Sequence, residues 1–277
     1  MATTAQESTP MHATIVPDWS AVGCHERDLS SWLGQLDSDF GAGRVHVASR
    51  TIGADALRGE AITEAARQAF HEALLELPGG PCRVWSFLPR PTERDDDLLE
   101  RYMRFNAGRT QAYRQLADRV RVVPAGTCVG HAGSDLVVHA LWIDAPFAAV
   151  ENPRQRPAWL YSDRYGPVPP AFTRAVRIGG MLLASGTASV VGEDSVHHGQ
   201  LDEQFRESVR NLESLAEAGG GDGRWRSLQI YVRDTADLAR LGELARTHFG
   251  DAAERILHAP ICRRELLVEI EGVCSAS

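Results

Sequence analysis

The second half of the chain changes its hydrophobic period several times, and the order of those changes restricts the fold more than any other feature. RAVRIGGMLLASGTASV reads as two strands meeting at Gly179–Gly180. DEQFRESVRNLESLAEA, Asp202 to Ala218, puts Phe205, Val209, Leu212, Leu215 and Ala216 on one helical face, and AGGGDG then stops the helix. SLQIYVRD, Ser227 to Asp234, returns to a strand. A helix over Ala236–Phe249 and a final strand pair, Glu254–His258 and Leu266–Glu271, complete the set. This alternation predicts an α+β layer with helices packed on one face of a sheet.

The first half is weakly patterned before Pro81 and clearer beyond it. CRVWSFLPRP, Cys82 to Pro91, is a β-rich run closed by prolines. From Leu98 to about Val120, Leu99, Tyr102, Met103, Ala107, Tyr113 and Leu116 fall near helical spacing. A second strand pair follows over Arg121–Val129 and Asp135–Asp144, with GHAGSD as the turn between them. VWSFLPRP and IYVRDTAD each end a strand with a polar turn before a helix, so the first half reads as a degenerate copy of the second. ENPRQRP, Glu151 to Pro157, is polar and flanked by proline, which predicts a linker and a division into 1–155 and 156–277.

A length of 277 residues suffices for a sizeable core, and a formal net charge of −8 argues against non-specific nucleic-acid binding. Any anionic ligand must then be held by local arginines. Five scattered cysteines without a CxxC pair give no zinc or disulfide framework and fit a reducing cytoplasm. MATTAQESTPMHA lacks the basic and apolar regions of a signal peptide and reads as a short disordered lead. No apolar run approaches the roughly 18 residues of a membrane span. No nucleotide or common hydrolase motif occurs. The pair His197 and His198 has no third metal ligand at suitable spacing, so no metal or cofactor is expected.

Three stretches could carry chemistry. In RYMRFNAGRTQAY, Tyr102, Arg109 and Tyr113 lie on or near one helical face; an arginine among phenols suits a planar carboxylate, or it is an ordinary surface cation. YSDRYGPVPPAFTRA offers Tyr161, Arg164, Tyr165 and Arg174 in a proline-stiffened loop that either lines a pocket or covers the sheet. In ICRRELLVEIEG, strand alternation puts Glu269 and Glu271 on one face, opposite Leu266, Val268 and Ile270. The apolar face belongs to the helices; the glutamates meet solvent or a second sheet. If that face is covered, Glu269 acquires a raised pKa and can serve as an acid. Cys262 lies in the turn entering the strand, where a lone cysteine is most often a small hydrophobe.

Together these blocks resemble the chorismatase family, chorismate-hydrolysing enzymes distantly related to the Rid imine deaminases. VWSFLP, ERYMRFNAGR and GTCVG carry the resemblance in the first half; SGTASVVG, RNLESL, YVRD and ICRRELLVEIEG carry it in the second. The resemblance implies two Rid-like (chorismate-mutase-like) sheet-plus-helix subdomains, the N-terminal one degenerate, and a monomer acting on a small molecule. It implies Glu269 as the acid that protonates the enol ether, with Tyr102, Arg109, Tyr161, Tyr165 and Arg174 binding carboxylates and shaping the pocket. Cys262 resembles the cysteine of the branch forming 3-hydroxybenzoate, where the branch forming a dihydroxycyclohexadiene carboxylate has alanine. Gly186 or Ala188 lies near a second branch-dependent position. The family's YPRQYGPRSP is YSDRYGPVPP here, so Asp163 and Val168 replace arginines, with Arg164 as a substitute, and a modified chorismate such as an amino derivative enters consideration. A Rid-like imine or enamine deaminase and a non-catalytic small-anion binding module are the competing readings.

Overall fold

A computed structural model describes residues 36, 38–41, 43–54, 56–253 and 255–276. The expected N-terminal lead and Cys24 lie outside the described residues.

The first half forms a four-stranded sheet in the order β1-β4-β2-β3, from β1 (Val45–Gly53), β2 (Arg83–Phe87), β3 (Ala125–Val129) and β4 (Asp135–Ile143). Helix α1 (Glu60–Glu76) joins β1 to β2, and α2 (Arg101–Gln115) joins β2 to β3. In the second half, β5 (Phe147–Val150), β6 (Ala175–Ile178), β7 (Met181–Ala188), β10 (Gly221–Val232), β11 (Arg255–His258) and β12 (Val268–Ala276) form a six-stranded sheet in the order β11-β10-β12-β7-β6-β5. A small hairpin, β8 (Val190–Val191) and β9 (Asp194–Ser195), precedes α3 (Leu201–Ala218); α4 (Leu238–Phe249) links β10 to β11.

Strand for strand, β7-β12-β10-β11 repeats β1-β4-β2-β3. In both, the outer pair, β2–β3 or β10–β11, is parallel and the others are antiparallel. The duplicated α+β architecture is therefore real, and β5 and β6 are added to the second copy. By sheet membership the chain passes between halves at 144–146, ahead of ENPRQRP, whose Asn152 and Gln155 are buried.

The two sheets stack face to face with helices outside. Strand alternation gives each sheet two apolar faces. In the first, Val84, Leu136, Val138 and Ala140 meet Ala66, Ala69 and Phe70 of α1 and Phe105 of α2, while Trp85, Phe87, Val137 and Leu141 turn inward. There they meet Val176, Met181, Leu183, Tyr231 and Val273 of the second sheet. The outer face of that sheet, with Leu182, Leu228, Ile230 and Ile270, packs against Phe205, Val209, Leu212 and Leu215 of α3 and Leu241 of α4. The expected face of α3 is thus the buried one.

Four expectations change. The strands over Arg121–Val129 and Asp135–Asp144 do not form a hairpin, because β2 lies between β3 and β4 and pairs with both. The strands over Glu254–His258 and Leu266–Glu271 do not pair with each other; β11 and β12 flank β10, because α4 returns the chain parallel to β10. β12 also runs past Gly272 to Ala276: a side chain there would come within 2.4 Å of Leu228 Cδ2, so the glycine permits close approach to β10 and does not end the strand. In α2 the buried face is Arg101, Phe105, Asn106, Gly108, Arg109, Ala112 and Tyr113, rotated from the apolar stripe, because Arg101 turns inward to donate to the carbonyls of Pro89, Leu57 and Ala54.

Candidate active site

Strand β12 sends Val268 and Ile270 to the helices and Glu269, Glu271 and Val273 toward the first sheet. The glutamate face is therefore covered by a second sheet, which decides between the two environments that alternation allowed. Glu271 is 0% exposed and fully engaged. Its Oε2 accepts from Arg83 Nη2 and Thr127 Oγ1; its Oε1 accepts from Tyr231 at 2.9 Å and from Trp85 Nε1 and Gln229 Nε2 at 3.2 Å each.

Glu269, two residues earlier, opens onto a pocket lying between the halves of this one chain. Glu100, Tyr102 and Met103 at the start of α2 form one wall; Tyr161, Tyr165, Pro170, Phe172 and Arg174 of the segment before β6 form another. Gly186 and Ala188 of β7, Val190, and Cys262, Arg263, Leu266 and Glu269 close it. Of the nine residues to which the resemblance gave a part, eight line this space. Gly186 is needed where it stands: a Cβ there would lie 1.9 Å from Glu269 Oε1.

The ninth, Arg109, is not among the lining residues. It lies buried behind the wall, its guanidinium over the rings of Phe105 at 5.2 Å and Phe172 at 5.9 Å, and Nη2 donates to Asn106 Oδ1 at 2.7 Å. The cavity's second guanidinium belongs instead to Arg263, 4.0 Å over the ring of Tyr165 and 5.1 Å over that of Tyr161. Its Nη1 donates to Glu193 O at 2.8 Å. Sequence reasoning passed over Arg263 because one of two adjacent arginines in a turn gives no periodic signal of direction. Arg174 Nη2 donates to Tyr161 Oη and to Arg156 O, and its guanidinium lies 5.1 Å over Phe172. Arg164 is drawn out to Asp194 and Glu193, so it lies outside the lining. His197 and His198 also lie elsewhere, near Glu207 and Ser195 O. Among the described residues no group of three potential metal ligands gathers. None of their helices is long and apolar enough to cross a membrane.

Burial dominates the electrostatics. It pushes the Glu269 carboxyl up to about 8; the charge of Glu271 pushes the same way, and Arg83, Arg263 and Arg174 oppose it. Glu269 therefore carries a proton at neutral pH while two arginines sit in the same cavity. Burial also pushes the Cys262 thiol up to about 12, with Glu269 adding to it and Tyr102 within hydrogen-bonding reach pulling back. Cys262 is thus a neutral thiol and not a thiolate nucleophile. Burial, and then Cys262, raise the Tyr102 phenol well above its ordinary value. Glu100 is raised by burial against the pull of Arg264 and Arg94. The arrangement can bind a small anion and hand it one proton.

The family model described as Chorismatase FkbO/Hyg5-like, N-terminal, matches residues 37–142. A 3-hydroxybenzoate synthase of Streptomyces hygroscopicus is 33% identical over 272 residues, covering 90% of this chain and 77% of the relative. A chorismatase of Streptomyces rapamycinicus is 30% identical over 297 residues, covering 96% of this chain and 85% of the relative. A chorismatase crystal structure superposes with a TM-score of 0.74 at 27% identity, over 83% of this chain and 75% of that one. On identities of 30% and more that run over nine-tenths of its length, and on the shared fold, the chain belongs to the chorismatase family.

Proposed function

We propose that this protein cleaves chorismate to 3-hydroxybenzoate and pyruvate. The observation that carries the reading is Glu269, a buried carboxyl that keeps its proton at neutral pH and faces a cavity holding Arg174 and Arg263.

Chorismate has two carboxylates and an enol ether. Arg174 and Arg263, each fixed by stacking and by carbonyl or phenol acceptors, hold the carboxylates, and Tyr102, Tyr161 and Tyr165 bound the ring. Glu269 gives its proton to the terminal methylene carbon, forming a methyl group and an oxocarbenium centre at the ether carbon. The neighbouring substrate hydroxyl captures that centre, losing its proton and closing a cyclic ketal. The captured oxygen's bond to the ring then breaks as the ring proton beside the ether is lost, which makes the ring aromatic; the hemiketal left on the ether oxygen collapses to release pyruvate and 3-hydroxybenzoate, and a proton returns to the site. The neutral Cys262 thiol occupies wall space beside the ring, which favours capture within the substrate over entry of water; this selects 3-hydroxybenzoate over the diene-diol.

An aminated chorismate is the second reading, favoured by Glu100, a carboxyl in the cavity wall where a substrate ammonium could lie. A Rid-like deaminase is disfavoured because the cavity is built within one chain. The protein is further proposed to act in the cytoplasm as a monomer. Incubation of purified protein with chorismate, with pyruvate read by coupled NADH oxidation and the aromatic product by mass spectrometry, tests the assignment. Absence of both products overturns it.

A further inference from the structure

Glu269 and Glu271 share a face of β12 and both are buried, yet their surroundings differ completely. Five donors from three strands converge on Glu271: Arg83 and Trp85 of β2, Thr127 of β3, and Gln229 and Tyr231 of β10. Arg83 spends Nη2 on Glu271 and Thr127, and its Nε and Nη1 reach no acceptor. Thr127 Oγ1 accepts from Gly186 N at 2.9 Å, which ties the same group to the glycine over which Glu269 lies. Among the described residues no donor is directed at the Glu269 carboxyl.

We propose that Glu271 is a positioning residue for Glu269: by drawing Arg83, Trp85, Thr127, Gln229 and Tyr231 to itself, it leaves Glu269 unbonded and turned to the cavity. This rests on Glu269 being the acid of the proposed reaction. A buried carboxyl without donors cannot hold a negative charge cheaply, and a fixed anion two residues away raises that cost. If Glu271 released Arg83, the guanidinium could turn to Glu269 and strip it of its proton. The other charged or titratable groups acting on Glu269 are Tyr102 of α2, Cys128 of β3, Arg174 before β6, and Cys262 and Arg263 before β12. None of these is among the donors to Glu271.

The test is a pH titration of the protonated-carboxyl infrared band, assigned to Glu269 by its loss in Glu269→Gln. In Glu271→Gln the midpoint should fall by about one pH unit or more, because a nearby anion is removed. The descending limb of kcat for pyruvate release should move down with it, while KM changes less than about threefold. An unchanged midpoint, or a uniform loss of kcat at every pH with the limb in place, overturns the proposal. Should Glu271→Gln fail to fold around the unpaired Arg83, the double variant Arg83→Gln, Glu271→Gln removes both buried charges together, a change that cores often tolerate. Its midpoint should still fall, by less, since the opposing guanidinium is gone as well; an unchanged or raised midpoint refutes the idea. The band needs no substrate, so a protein that ignores chorismate defeats the functional reading and still leaves this titration decisive. A parent protein with no such band at neutral pH sinks the positioning role outright.

Discussion

Glu269→Gln should yield a protein that is more stable than its parent at neutral pH and has little activity. Burial carries the folded-state value of Glu269 from 4.5 to about 8. Between those values the folded protein holds a proton that the unfolded chain has released, so stability falls as pH rises. The slope is about 1.4 kcal/mol per pH unit. The contribution is intact below the unfolded value of 4.5 and is lost progressively up to about 8, reaching about 3 kcal/mol by pH 7 and roughly 5 kcal/mol above pH 8. Glutamine has nearly the same shape and cannot ionise, so the variant lacks this slope; every other titrating group is common to both proteins and cancels in the difference. Urea unfolding of parent and variant at several values between about pH 5 and pH 8 reads that difference directly. The gap in favour of the variant should widen with pH while its rate of pyruvate release drops at least about two orders of magnitude. A gap that stays constant across this range would mean that Glu269 ionises normally in the folded state, and the argument for a stored proton would fail.

Three further substitutions probe the cavity. Cys262→Ala should shift the product from 3-hydroxybenzoate toward a dihydroxycyclohexadiene carboxylate, read by liquid chromatography with mass spectrometry, with total pyruvate release reduced less than about tenfold. Arg263→Met, which keeps the stem and removes the charge facing the ligand, should raise KM at least about tenfold in steady-state assays. Gly186→Ala would place a Cβ 1.9 Å from Glu269 Oε1, roughly 1.5 Å inside ordinary contact, so the carboxyl must retreat. We expect kcat to fall by about tenfold to a hundredfold with Tm lowered by only a few degrees, and an unchanged kcat would show that the carboxyl need not sit where it does.

Strand alternation correctly placed Glu269 and Glu271 on one face, because period two is a local property of the backbone. What covered that face was not local: it depended on Arg83 and Trp85, more than 180 residues away, and no pattern within LLVEIEG encodes them. The α3 stripe was legible because Phe205, Val209, Leu212 and Leu215 keep helical spacing, although Gln204, Glu207, Ser208 and Asn211 are buried beside them. Helix α1 escaped notice because much of its buried side is alanine, at Ala65, Ala66, Ala69 and Ala73, and alanine contrasts little with its surroundings in hydropathy. In α2 the buried Arg101, Asn106 and Arg109 ran against the usual rule, so the apolar stripe marked the buried face only in part, at Tyr113 and Leu116. Resemblance to a family supplied what periodicity could not: it brought Tyr102, Tyr161, Tyr165, Arg174 and Cys262 together around Glu269. It missed Arg263, whose direction is set by the hairpin residues Glu193 and Ser195.

The central claim is that Glu269 protonates the enol ether carbon, and the source of one hydrogen in pyruvate tests it most directly. If the reaction is run in deuterated water and quenched early, exchange will have loaded Glu269 with deuterium before turnover. The account expects pyruvate whose methyl group carries one deuterium. Pyruvate with an unlabelled methyl group would mean that the hydrogen came from the substrate ring in a concerted cleavage, and Glu269 would not be the acid.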